Sequence, residues 1–231
     1  MADWKTPRPL GCPSKLKDRA KPENIYAPRV DPLNQLVDRI RVSEHGDDTV
    51  PYFDPAGAGI NARVLILQQD PSKVAAEKTK FISPDNPDKT ADNTTWLRNE
   101  AGLKPDELVH WNIVPWHIGK KDADDEIDNA SSFLTETIQL LTKLEVVVCM
   151  GDKARDGWDK AKPDNRSKPG WKPIAIPSDT ELVVLSCPHP SWRNIDGANK
   201  HKSIIDGLNP EQRIRATLNT AREILDRDKV A

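Results

Sequence analysis

The sequence lacks any apolar run of membrane-spanning length. The longest, Val64-Leu65-Ile66-Leu67 and Val146-Val147-Val148-Cys149-Met150, fall far short of the ~20 residues that a bilayer requires, so no membrane association is expected. Cysteine is scarce: Cys12, Cys149 and Cys187 are the whole supply. An odd, scattered set gives no disulfide framework and points to a reducing, cytoplasmic setting. It also falls short of a four-thiolate zinc or iron–sulfur site. The first residues contain no apolar stretch of the kind that marks a secretory signal. Charge of one sign is absent as well: 34 basic residues face 36 acidic ones, a net charge of −2. Such a chain has no whole-molecule pull on nucleic acid, so any such binding rests on local patches. Near-balance also argues against disorder driven by charge. Internal repeats are absent.

What the sequence does contain is punctuation and alternation. The 20 prolines mark stiff loops between structured parts. Residues 1–30 are rich in Pro, Lys and Arg and have no hydrophobic period. From Met1 to Arg41 nine basic residues outnumber five acidic ones, and residues 1–30 read as a basic arm that wraps or dangles. Residues 31–231 read as a single domain. Asp31-Pro32 opens a helix, with Asp as cap and Pro at the first helical position. Leu33, Leu36, Val37 and Ile40 follow at helical spacing. Residues 44–62 read as a loop. Strands are predicted at 63–67, 108–114, 145–150 and 182–186, and helices at 94–101, 126–144, 152–160 and 210–227. Continuous apolar strands separated by amphipathic helices predict a three-layer α/β/α fold around a mainly parallel four-stranded sheet.

Ligands of open α/β sheets bind beyond the carboxyl ends of the strands. The residues there are Gln68-Gln69-Asp70-Pro71-Ser72, Asn112 with Pro115-Trp116-His117, Gly151-Asp152, and Pro188-His189-Pro190-Ser191-Trp192-Arg193-Asn194. Asp70 reads either as a turn initiator before proline or as a carboxylate that orients water or stabilises a developing cation. Asn112 is a poor strand former. It is either a satisfied buried amide or a reader of the polar edge of a nucleobase. His189 lies between two prolines that hold its backbone extended, which suits a donor to a developing oxyanion. His45, His110 and His201 have no such context, and only His117 is kept as a neighbour of the site. Trp192 and Arg193 either pack and solvate a loop or wedge into a duplex. That loop continues through Lys200, His201 and Lys202. Phe81 is core, or it stacks on a planar base. The acidic run from Asp122 to Asp128 lacks the glycine and the terminal glutamate of a calcium loop. It fits the positive end of the long helix instead. Cys149 and Cys187 read as small core residues.

In order along the chain, these motifs resemble the uracil-DNA glycosylase superfamily. Val64-Leu65-Ile66-Leu67-Gln68-Gln69-Asp70-Pro71 is similar to that family's strand and Gly-Gln-Asp-Pro motif. Phe81, Thr95-Trp96-Leu97-Arg98-Asn99-Glu100, Trp111-Asn112, Val147-Val148-Cys149-Met150-Gly151 and Pro188-His189-Pro190-Ser191 follow in the family's order, across roughly residues 60–225. The resemblance implies a metal-independent DNA glycosylase of base excision repair with no cofactor. It would act as a monomer and extrude uracil or a related damaged base from DNA before cutting the glycosidic bond. Asp70 would position the attacking water and stabilise the sugar cation, and His189 would stabilise the departing base. Asn112 would bind the base edge, Phe81 would stack on the base, and Gln69 would also bind the base. Ser191 would clamp phosphate and Arg193 would fill the gap in the duplex, with Ser72 and Trp192 completing the DNA contacts. His-Pro-Ser-Trp-Arg-Asn is close to the His-Pro-Ser-Pro-Arg-Asn of the single-strand-selective monofunctional branch. The tyrosine that excludes thymine in the best-known branch has no counterpart near Ser72, and Gln68 stands where glycine is usual. Exclusion of thymine's methyl group is therefore not implied. Two rivals remain: a module that binds damaged DNA without cleavage, and a metal-dependent nuclease built on Asp70, Asp152 and His189.

Overall fold

The computed structural model describes residues 8–43, 49–121, 123–161, 182–197, 199–200 and 204–227. A 3-10 turn at Pro9–Gly11 leads into α1 (Pro13–Arg19), α2 (Pro22–Ile25) and α3 (Asp31–Arg41). Then come β1 (Tyr52–Phe53), β2 (Val64–Gln68), β3 (Phe81–Ile82), α4 (Lys89–Glu100) and β4 (Leu108–Asn112). After them follow α5 (Ala123–Leu140), β5 (Val146–Met150), α6 (Asp152–Ala161), β6 (Val183–Cys187), α7 (Trp192–Ile195) and α8 (Pro210–Arg227). Prolines open the 3-10 turn and the first two helices, where a missing N–H costs nothing.

The main sheet has the order β4-β2-β5-β6, and every pair in it is parallel. Its two faces divide the core, as period-2 alternation requires. Leu65, Leu67, Val109, Trp111, Val147 and Cys149 point to one side, where α3, α5 and α6 bury Leu36, Ile138 and Trp158. Val64, Ile66, Leu108, Val146 and Val148 point to the other, against Leu97 of α4 and Ile214, Leu218, Ala221 and Leu225 of α8. The chain is thus a three-layer α/β/α sandwich, as the apolar strands predict.

The differences from the sequence reading have local causes. Helix α4 starts at Lys89, not at residue 94. Its first turn carries no apolar period, but Asp88 caps it by accepting a hydrogen bond from the Ala91 N–H at 3.0 Å. Helix α5 starts earlier than 126 and ends at Leu140. Its acidic first turn (Asp124, Asp125, Glu126) is helical, and Leu141 and Leu144 are buried in the turn that follows. At α3 the cap is Val30, with Asp31 already helical. The 44–62 stretch contains β1, which pairs with β3 in a second, two-stranded parallel sheet. Such short pieces carry too few residues to show a period. Residues 8–30 are largely short helices, with Leu10 buried.

Gly157 of α6 lies against Ile113, and a Cβ there would stand 2.3 Å from its Cγ2. Alanine in a helix interior normally gains about 1 kcal/mol over glycine. Overpacking costs about 1–3 kcal/mol and outweighs that gain. Gly157→Ala should therefore lower the urea midpoint; a rise would show that α6 can move away from β4.

Candidate active site

The carboxyl ends of β2 and β4 are in register, Gln68 beside Asn112 and Ile66 beside His110. Beyond the last strand pair, Ile113 N–H donates to Gln68 O at 2.8 Å and Val114 N–H to Gln69 O at 2.9 Å. These bonds fix the start of the loop that carries Asp70. Gln68, His110 and Asn112 share the face of Ile66, the face covered by α4 and α8.

At that rim lies a cavity of about 260 Å³. It brings together Asp70, Asn112 and His189, which the chain separates widely. Ser72, Ser83, Asn86, Thr94, His110 and His117 also line it, with Ile82 and Pro84 as apolar wall. Of the other residues singled out in the sequence, Gln69 is not in the lining; its Nε2 donates to Asp70 Oδ1 at 3.2 Å. Phe81 is enclosed, 1% exposed, and it is the adjacent Ile82 that reaches the cavity. Trp192 and Arg193 are exposed beside the cavity loop, Trp192 at 54%, and Ser191 precedes α7. His201 and Lys202 of the same loop lie outside the described residues, as does His45.

Asp70 is held from three sides. Gln69 donates to Oδ1, and Ile118 N–H donates to Oδ2 at 3.3 Å. His117 Nδ1 lies 3.2 Å from Oδ2 and 2.8 Å from Pro71 O. Both partners of that nitrogen are acceptors, so Nδ1 carries the proton. Burial raises the Asp70 pKa above its ordinary 3.8, while the Ile118 N–H and His117 pull against it. Ser72 donates to Asp88 Oδ2 at 3.1 Å, tying the lip of the cavity to the cap of α4.

His189 is fixed through its backbone. Asn194 Nδ2 donates to its carbonyl at 2.8 Å, and Asn93 Nδ2 donates to Pro190 O at 2.9 Å. Gly151, at φ +102°, closes the turn after β5, and a Cβ there would lie 3.2 Å from the His189 Cβ. The glycine answers both the backbone and the close approach. Burial pushes the His189 pKa down, against the opposing pull of Asp88. Its imidazole is therefore neutral at physiological pH and able to donate. Burial, with Arg98 nearby, drives His110 from the ordinary 6.5 to about 3.

Three enclosed nitrogens, Gln68 Nε2, His110 Nε2 and Asn112 Nδ2, find no hydrogen-bond partner. Unpaired buried polar groups cost about 1–3 kcal/mol each, and these cluster at one site. His110 has no flanking motif in the sequence; its signal is its place two residues before Asn112, on the same face of the strand. Among the described residues no three His, Cys, Asp or Glu side chains are grouped to hold a metal. No helix there is long and apolar enough to cross a membrane. Asp152 opens α6 and lies 3.3 Å from Arg155.

A parallel α/β/α sheet thus brings a carboxylate, an amide and an imidazole together in one cavity at its carboxyl rim. Residues 55–211 match the family model described as Uracil DNA glycosylase superfamily. That span exceeds half of the chain, and the protein belongs to this superfamily. It is thereby a member of a group of DNA glycosylases that act on DNA in base excision repair. No curated protein matches the sequence.

The two lowered histidines set a pH dependence. Both bind a proton more weakly folded than unfolded. Their contribution is full above the unfolded value near 6.5 and is lost as pH falls below it, towards about 3 for His110. Unfolding free energy should drop by roughly 1–2 kcal/mol on going down to about pH 5. His110→Gln should flatten the fall; an equal slope in both proteins would show that His110 titrates normally.

Proposed function

We propose that this chain removes uracil or a related damaged base from DNA by hydrolysing its N-glycosidic bond, without a metal. The observation that carries the reading is that Asp70, Asn112 and His189 line one cavity. A base inside a duplex has to be extruded before its glycosidic bond is reachable. In the cavity Asn112 would bind the polar edge of the base, with its free Nδ2 as donor. Gln69 would support the adjoining Asp70. Phe81 is enclosed behind the lining, so Ile82, not the Phe81 ring, would supply the apolar wall against which a seated base packs.

Bond breaking leaves a cationic sugar and a base that departs with the electron pair. Ionised Asp70 answers the cation and orients the water that attacks the sugar carbon. His189, neutral, donates to the oxygen on which the base accumulates negative charge. Water's proton leaves to solvent by way of Asp70. The low dielectric of a partly enclosed site strengthens both interactions. Ser72 at the cavity lip, with Ser191, Trp192 and Arg193 beyond it, would contact the DNA, Trp192 and Arg193 being exposed where a wedge is needed.

The test uses single- and double-stranded oligonucleotides carrying one uracil, with EDTA present, followed by hot alkali. Strand breaks that appear only after alkali are expected. Binding without alkali-labile product on uracil, hypoxanthine, xanthine or mismatched thymine would make the protein a recognition module. Breaks that need no alkali and vanish with EDTA would make it a nuclease.

Asp70→Asn should lower kcat on the order of 10²–10³-fold, by analogy with loss of one stabilising group in an enclosed site, while DNA affinity holds. The wild-type rate should fall on the acid side at a pH above that of an ordinary aspartate, because burial raises Asp70. Undiminished turnover in the variant removes Asp70 from the chemistry.

A further inference from the structure

We propose that Arg8 and Arg19, in a segment ahead of the family-matched residues, are positioning residues that set one wall of the base cavity. This rests on the reading of that cavity as the base site.

The wall is the stretch from Ile82 to Asp88 between β3 and α4, which contributes Ile82, Ser83, Pro84, Asn86 and Asp88 to the lining. The opposite walls come from the ends of β2 and β4, which the sheet ladder holds. This stretch lies outside that ladder: Ile82 pairs only with Phe53 of the two-stranded sheet, and beyond it Thr95 Oγ1 donates to Pro84 O at 3.0 Å and Asn86 Nδ2 to Phe81 O at 2.9 Å. Behind it lies a second cavity of about 160 Å³, lined by Asp54, Asp85, Arg98 and Leu108 among others. Ile82, Pro84 and His110 line both cavities. The partition between them is therefore one residue thick and backed by a void. Close packing normally holds a wall in place, and here it is missing.

The N-terminal segment adds a hold from outside. Arg19 forks across two carboxylates, with Nη1 2.5 Å from Asp54 Oδ1 and Nη2 3.1 Å from Asp85 Oδ2. Asp54 in turn accepts the hydroxyl of Ser83, a cavity residue. Arg8 donates to Pro84 O and to Thr95 Oγ1, and its Nε lies 3.2 Å from Asp92. Leu10, itself buried, donates its N–H to Asp85 O at 3.2 Å. Three residues of the segment thus grip residues 84 and 85 from outside, and Arg19 reaches Ser83 through Asp54. Loss of Arg19 removes the cation that bridges Asp54 and Asp85 at the second cavity, and the partition is freer to shift. A lysine offers one point charge instead of a planar fork and serves one carboxylate well but not both.

The test compares wild type with Arg19→Ala, Arg19→Lys and Arg8→Ala. It measures steady-state release of uracil from a single-stranded oligonucleotide and amide hydrogen exchange. The wall does not touch the bond that breaks, so its displacement weakens binding before chemistry. Arg19→Ala should raise KM about tenfold and leave kcat within about threefold. It should speed exchange of the amides between 82 and 88, with those of β5 and α8 unchanged. Arg19→Lys should recover part of both effects. Arg8→Ala, which leaves the Asp54–Arg19–Asp85 bridge intact, should show the same signature more weakly, and it decides the matter if Arg19→Ala does not fold. Unchanged exchange at 82–88, or a fall in kcat with KM unchanged, overturns the proposal. Wild type that releases no base would defeat the glycosylase reading alone, and exchange would still decide whether the arginines hold the wall.

Discussion

Parallel pairing gives all four central strands a common carboxyl end, and the site depends on that constraint more than on any single contact. The β2–β4 register sets Gln68 beside Asn112 and carries two further backbone bonds into the loop before Asp70. The turn after β5 gives Gly151, and the segment after β6 brings His189 against it. A one-residue slip of β4 would turn His110 and Asn112 towards the α5 layer and place Trp111 at the cavity. Trp111 is fixed on its own side by stacking on Phe53, with ring centres 3.8 Å apart. The apolar layer that holds the register therefore also decides which side chains meet the ligand.

Burial tunes the groups thus assembled in opposite senses. It raises the carboxyl of Asp70 and lowers the imidazoles of His110 and His189, because the charged form is the one penalised in each case. Asp70 can still ionise because Gln69, His117 and the Ile118 N–H face it. His189 lacks comparable stabilisation of its cation and stays neutral. One carboxylate and one neutral imidazole donor in a single cavity suit a reaction that separates charge.

Much of this was legible in the sequence where periodicity is strong. The stripe Ile214, Leu218, Ala221 and Leu225 gave α8 its bounds, and the solid apolar runs gave β2 and β5 within a residue. Asp70, Asn112 and His189 are legible together because they fall at the carboxyl ends of apolar strands, where open α/β sheets bind ligands. Other features left no such trace. The polar first turn of α4 is set by one capping carboxylate, and β1 and β3 are two residues each. His117 was kept only as a neighbour, yet its ring is the partner of Asp70. Residues 1–30 show no period and read as a basic arm, because the order of residues 8–30 comes from long-range contacts: Arg8 with Thr95, Arg19 with Asp54 and Asp85. Pairings between distant charged residues have no periodicity to read.

The shared boundary of the two cavities has a consequence for how this scaffold can change. Because Ile82, Pro84 and His110 face both spaces, a smaller side chain at position 82 would thin the boundary between the two chambers without moving the sheet. Isoleucine and valine codons differ by a single letter, so that extra room lies one nucleotide substitution away in a gene. Such a change would leave Asp70, Asn112 and His189 in place.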